Sequence, residues 1–166
     1  MKSKGFTFIE LVIVIAIISI LASIVLMSIK GSQEKAYLAR AQKELEAVAT
    51  ALVIYRDNNL GQYPADVNRD IPPGLEEYLG PGEWPEAPWP GSIYDWDNWT
   101  DPATGEKIYQ VSIRFCPLGD PAGCRFPNQP WAEDFDYYSS AYYCVFGLCR
   151  SHIDKPVDHP GYRINF

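Results

Sequence analysis

Three sets of side chains in this 166-residue chain have the types and spacing for chemistry. The first is a lone carboxylate, Glu10, which follows Phe6, Phe8 and Ile9 and precedes an uncharged run from Leu11 to Ile29. A carboxylate at the centre of a membrane helix costs roughly 2.5–3.5 kcal/mol, less near the interface, so an acid placed there needs a partner. The second set is Cys116, Cys124, Cys144 and Cys149. Four cysteines allow three connectivities. Sequence neighbours, Cys116 with Cys124 and Cys144 with Cys149, would close short loops around Gly119, Gly123 and Gly147; the nested pairing of Cys116 with Cys149 and Cys124 with Cys144 is the alternative. Zinc, helped by His152 and His159, is the rival use. Its common short spacing is not present at both ends, and thiolates compete poorly for metal where disulfides form. The third set is Asp95, Asp97, Asn98 and Asp101, oxygen ligands crowded between Tyr94 and Asp101. Calcium takes 6–8 oxygens on irregular backbone. The spacing is not that of an EF-hand, and a solvated acidic turn has the same composition.

No catalytic constellation accompanies these sets. Neither histidine has a nucleophile motif beside it, and there is no phosphate loop, metal-protease pair or Cys-x-x-Cys. The chain is expected not to be an enzyme and to require no cofactor, calcium in the acidic segment being the one candidate. Asn98-Trp99-Thr100 matches a glycosylation sequon. Trp84, Trp89, Trp96 and Trp99 suit either a sugar-stacking platform or the core of a domain poor in aliphatic side chains.

The elements that carry these residues are of two kinds. Residues 1–57 hold 7 basic and 5 acidic side chains; residues 58–166 hold 7 and 16, together with all 14 Pro and all 5 Trp. An acidic body lacks the Lys and Arg that neutralise phosphates, so no nucleic-acid partner is expected. The 19 residues from Leu11 to Ile29 make about 28 Å of helix, enough with the apolar residues before them to cross a hydrocarbon core of about 30 Å. A cleaved secretory signal has a shorter apolar region and a small-residue cleavage site after it. From residue 32 onward Leu38, Ala41, Leu45, Val48, Leu52 and Tyr55 form one stripe at helical spacing, with a stop at Asn58-Asn59-Leu60-Gly61 where Asn59 and Gly61 take the left-handed turn. Leu75–Leu79 reads as a short helical segment. Ile108–Phe115 alternates and pairs, through a turn at Thr104-Gly105, with Ser92–Trp96. Tyr142–Phe146 and Tyr162–Phe166 are further strands. The class is α+β: a long N-terminal helix packed on a small antiparallel sheet.

Lys4-Gly5-Phe6-Thr7-Phe8-Ile9-Glu10-Leu11 resembles the leader and processing site of type IV pilins and type II secretion pseudopilins. The likeness covers Lys4 to about Ala22 closely and the following helix more loosely; Gln62-Tyr63-Pro64 adds a short match. The resemblance implies a pilin-like fold and a leader at 1–5 removed between Gly5 and Phe6 by a prepilin peptidase. It also implies N-methylation of the Phe6 amine, a membrane and filament-core helix at 6–30, an amphipathic helix at 31–58, an extracytoplasmic head at 59–166, and calcium in a head loop. Glu10 would then pair with the Phe6 ammonium of a neighbouring subunit and set its register. Ala16, Ser19 and Ser23 offer small residues for close helix packing. Many pilins carry a helix-bending proline about where Met27 stands; this chain has none before Pro64.

The expected function is a structural subunit of a type IV pilus-like filament, held in the cytoplasmic membrane before assembly and in an extracellular or periplasmic filament afterwards. Its partners would be identical or homologous pilin subunits, the peptidase, the inner-membrane assembly machinery and membrane lipid. A type II secretion pseudopilus subunit and a scarce tip adhesin or binding module are the alternatives.

Overall fold

Thr7 caps, and Leu60 with Gly61 ends, a single helix α1, Phe8–Asn58, of 51 residues. The computed structural model describes residues 6–80, 84–154 and 157–165. The leader 1–5, with Gly5, lies outside the described residues, as does Phe166. The chain forms two compact units, one ending at Ala36 and the other beginning at Tyr37.

In the first unit α1 has no charged side chain from Leu11 to Ile29. Its most apolar window has a mean hydropathy of 3.0 and none of it is buried, so by length and composition it can cross a membrane. A backbone in lipid must satisfy its own polar groups, and side-chain hydroxyls face the same demand. Ser19 and Ser23 meet it by donating to the carbonyls of Ile15 and Ser19, each at 2.7 Å. Gly31 is accommodated within α1.

In the second unit the predicted stripe is the buried face. Ala41, Leu45, Val48 and Leu52 join the core, with Leu38 and Tyr55 packed at its margin. The left-handed stop differs from expectation: Leu60 (φ 57°) and Gly61 (φ 81°) take it. Asn59 instead donates its side-chain amide to the Tyr55 carbonyl at 2.8 Å, while the Gly61 N–H donates to the Arg56 carbonyl at 2.9 Å. An exposed leucine tolerates the conformation because no packing is sacrificed by it; the helix carbonyls gain their donors.

The strands are β1 (Ile93–Thr100), β2 (Lys107–Arg114), β3 (Ser140–Gly147), β4 (Ile153–Asp154), β5 (Val157–Asp158) and β6 (Gly161–Arg163). The main sheet has the order β1-β2-β3-β6; β4 and β5 form a separate antiparallel pair. The β1–β2 hairpin pairs Ile93 with Arg114 and Thr100 with Lys107. Its turn is closed by Asp101, whose N–H donates to the Glu106 carbonyl at 2.8 Å and whose carbonyl accepts from Gly105 at 2.7 Å. The sheet is not wholly antiparallel, as the sequence suggested: β6 runs parallel to β3, with Ser140 opposite Gly161. A parallel neighbour requires a crossover, and residues 148–160, carrying β4 and β5, supply it. The outer edge of β1 is partly covered by a bridge from Val67 to Trp96. The Leu75–Leu79 segment contains one 3-10 turn, Glu76–Tyr78.

Pleating sorts the sheet into two faces. Tyr94, Trp96, Val111, Ile113, Phe115 and Ala141 face α1 and are buried. Tyr94 donates its hydroxyl to Glu44 on α1 at 2.8 Å, and Glu44 accepts from Arg40 at 2.7 Å, so a polar chain ties the helix to the sheet. Burial first, then the hydrogen bond to Glu44, pushes the Tyr94 hydroxyl well above its ordinary pKa. Trp89 and Trp96 are core residues and Trp84 packs against the core, whereas Trp99 lies on the opposite face and only half-buried.

Leu45, fully buried at the centre of the α1 stripe, sets a measurable scale for this packing. Leu45→Ala is expected to destabilise the second unit by about 2–5 kcal/mol, read as a lowered denaturation midpoint of the detergent-solubilised chain. A midpoint equal to that of the parent would mean that α1 does not carry this core.

Candidate functional site

Two regions hold the residues singled out in the sequence. At the start of α1, Thr7 is the N-cap and Glu10 the third helical residue. The Glu10 Oε2 accepts from the Thr7 N–H at 2.8 Å and from the Thr7 hydroxyl at 2.7 Å, and the Glu10 N–H approaches the Thr7 Oγ1 at 3.4 Å. This is a capping box, which satisfies otherwise unpartnered helix N–H groups. The Thr-x-x-Glu signature was legible in the sequence, but the intramolecular role of Glu10 was missed because the acid was weighed only as a buried charge. Phe6 and Phe8 flank the box, both exposed.

The other region is the sheet face opposite α1. Asp95, Asp97 and Trp99 alternate along β1, and Gln110, Ser112 and Arg114 along β2. Arg114 donates from Nε to Asp95 at 2.8 Å, from an Nη to Asp97 at 2.9 Å, and from its other Nη to the Tyr138 carbonyl at 3.0 Å. Asp95 also accepts from the Arg69 N–H at 2.7 Å, and Asp97 from the Gln110 amide at 3.2 Å. Burial, followed by the neighbouring charge of Asp97, pushes the Asp95 carboxyl up to about 6, against the pull of Arg114 and the Arg69 N–H. Burial works against the Arg114 charge, but Asp97 and Asp95 outweigh it and hold its pKa above the ordinary value.

The four predicted oxygen ligands are therefore not gathered into an irregular calcium loop. Asp95, Asp97 and Asn98 lie in a paired strand, where Arg114 already bridges the first two. The Asn98 amide donates to the Pro64 carbonyl at 2.7 Å. Asp101 sits in the hairpin turn, accepting from the Ala103 N–H at 2.7 Å and from Arg150 at 3.0 Å. The Ala103 N–H in particular holds its pKa below the usual carboxylate range. Among the described residues no group of three or more His, Cys, Asp or Glu is placed to hold a metal ion. The reason is the strand pleat, which sends the aspartates to a face that carries its own cation.

The cysteines pair as Cys116–Cys124 and Cys144–Cys149. No free thiol remains among the described residues for zinc. The first bridge closes a loop in which Asp120 accepts from the N–H groups of Ala122 and Gly123, each at 3.1 Å. The histidines lie together with Tyr138: His152 stacks on its ring at 5.2 Å, and His159 lies 4.8 Å from it while bonding Asp136 at 2.7 Å.

A family model described as the prokaryotic N-terminal methylation motif matches residues 1–26. The chain is 40% identical over 58 residues to the type II secretion system core protein G of Escherichia coli (strain K12), covering 35% of this chain and 40% of that protein. The protein of the same name from Aeromonas hydrophila is 41% identical over 64 residues, 38% of this chain and 43% of that one. That from Klebsiella michiganensis is 30% identical over 101 residues, 54% of this chain and 70% of that one. The chain thus spans about two-fifths of the length of the first two relatives, and 70% of the third. No solved structure matches it.

The raised Asp95 pKa has a measurable sign. Unfolded Asp95 releases its proton near the ordinary 3.8, whereas the folded group keeps it to about 6. Between those values the folded state binds the extra proton, so the Asp95 contribution to stability falls as pH rises. The melting temperature of the parent minus that of Asp95→Asn is expected to decline from about pH 4 to about pH 6 and then level off. A difference that is flat or rises across that window would contradict it.

Proposed function

Because the chain belongs to the type IV pilin and type II secretion pseudopilin family, we propose that it is a pseudopilus subunit of a type II secretion system. The observation that carries this reading is the extent of the similarity. The methylation motif is confined to residues 1–26, but the match to the Klebsiella michiganensis relative runs over 101 residues, further than the helix can account for. The relatives share the description of type II secretion core protein G, so the pseudopilus is favoured over a surface pilus.

On this reading the prepilin peptidase cuts between Gly5 and Phe6, and the new Phe6 amine is methylated. The ammonium and the Glu10 carboxylate are both costly in a medium of low dielectric constant, and pairing between neighbouring subunits offsets much of that cost. The capping box uses Oε2 of Glu10, which leaves Oε1 for the incoming ammonium. The exposed apolar face of α1 is stored in lipid before assembly and packs against other subunits afterwards, with the second unit on the periplasmic side. The part played is structural rather than enzymatic.

Deleting the gene in its own host is expected to stop secretion of type II substrates. Glu10→Val should leave the chain in the membrane fraction while lowering its recovery as chemically cross-linked multimers at least about tenfold, as loss of a buried charge pair implies. Mass spectrometry of the parental chain purified from its host should show it beginning at N-methylated Phe6. Intact secretion in the deletion strain, together with long surface fibres built from this chain, would replace the proposal with a type IV pilus.

A further inference from the structure

The sheet face opposite α1 is not fully covered. Over β1 and β2 lies a cavity of about 620 Å³, within the range of small-molecule sites. Its floor is Asp95, Asp97 and Arg114; Asp66 and Arg69 stand on one side, and Trp99, Tyr137 and Tyr138 supply aromatic surface. Tyr138 remains 40% exposed although it packs on both histidine rings. The cavity belongs entirely to the unit that begins at Tyr37.

Its walls are held in place. Arg69 adopts a left-handed backbone (φ 58°), uncommon for a residue with a side chain and sustained only where the surroundings over-determine it. Its N–H is fixed on Asp95, its guanidinium donates to the Cys116 carbonyl, and it lies 5.7 Å from the centre of the Tyr137 ring. The Tyr137 hydroxyl accepts from the Gly119 N–H at 2.7 Å, which leaves its own proton to donate.

We propose that this cavity binds a neutral saccharide, through hydroxyl contacts to Asp66 and the Asp95–Asp97–Arg114 floor and through ring stacking on the exposed Tyr138. The chemistry selects the class. Three carboxylates against two guanidiniums disfavour a phosphate or carboxylate ligand. A simple cation finds Arg114 already seated between Asp95 and Asp97. A wholly apolar ligand would strip hydrogen bonds from a polar floor without replacing them. A pyranose has hydroxyls that both donate to carboxylates and accept from guanidinium, and an apolar C–H face for an aromatic ring. This inference does not depend on the secretion reading, since it concerns only the head.

The test uses the purified full chain in a polyoxyethylene detergent, which carries no sugar headgroup. Maltotriose, cellotriose and N,N′-diacetylchitobiose are titrated separately, with tryptophan fluorescence and saturation-transfer NMR as readouts, and spermidine and inorganic phosphate as charged comparisons. At least one saccharide is expected to bind with a Kd of about 1 mM or tighter, and Tyr138→Ala to weaken it about tenfold. If Tyr138→Ala does not fold, Asp66→Asn at the exposed rim serves in its place with the same direction. The proposal is overturned if no saccharide binds at about 10 mM, if a folded variant binds as the parent does, or if spermidine or phosphate alone binds.

Discussion

The guanidinium of Arg114 solves a problem set by the architecture. A sheet with one helix has one face covered by apolar packing and a second that must be accounted for otherwise. Here that face carries aspartates. Buried carboxylates two residues apart on one strand would repel each other and lose solvent, and neither would stay charged cheaply. Arg114, on the neighbouring strand in the hairpin, contacts both and reaches the Tyr138 carbonyl beyond them. One side chain therefore joins β1, β2 and the loop before β3. A second arginine, Arg150, joins Asp101 in the hairpin turn to Asp158 on β5, at 3.0 and 2.9 Å. The Arg114 pairs are buried, and such pairs add little net stability over apolar packing although removing one partner is costly; the Arg150–Asp158 contact is exposed and contributes less still. Their role here is to fix which loop lies over which strand.

The helix was legible because its signals are local. An uncharged run of membrane length, a stripe at spacings of three and four, and a Gly61 stop lie within one segment. The β1–β2 hairpin was legible as well, from alternation on β2 and a Thr-Gly turn. The acidic segment was misread because two patterns coincide in it. Tyr94-Asp95-Trp96-Asp97 has the period of a strand with one apolar and one polar face, yet its composition is that of a ligand loop. What decides between them is Arg114, about twenty residues away, and no sequence rule links the two. The parallel docking of β6 was hidden for a similar reason. Three residues, Gly161–Arg163, carry too little pattern to specify a partner, and the crossover that permits parallel pairing is irregular.

The two units divide the demands of two solvents. The first keeps polar groups satisfied within the helix itself: the serines bond back to the preceding turn, and the capping box closes the N–H groups at the start. The second satisfies its polar groups across the fold, by arginines and by tyrosine to α1. A single helix serves both because its backbone bonding is indifferent to surroundings while its side chains change character from Lys30 onward.

The shared carbonyl of Pro64 has a further consequence. It accepts both the Trp96 indole N–H, at 3.1 Å, and the Asn98 amide, at 2.7 Å. The amide nitrogen that a glycan would occupy in Asn98-Trp99-Thr100 is thus engaged in a paired strand. The sequon is therefore held in a paired strand with one amide N–H committed to the Pro64 carbonyl, so folding the hairpin onto the Pro64 segment withdraws a group that the unfolded chain would leave free.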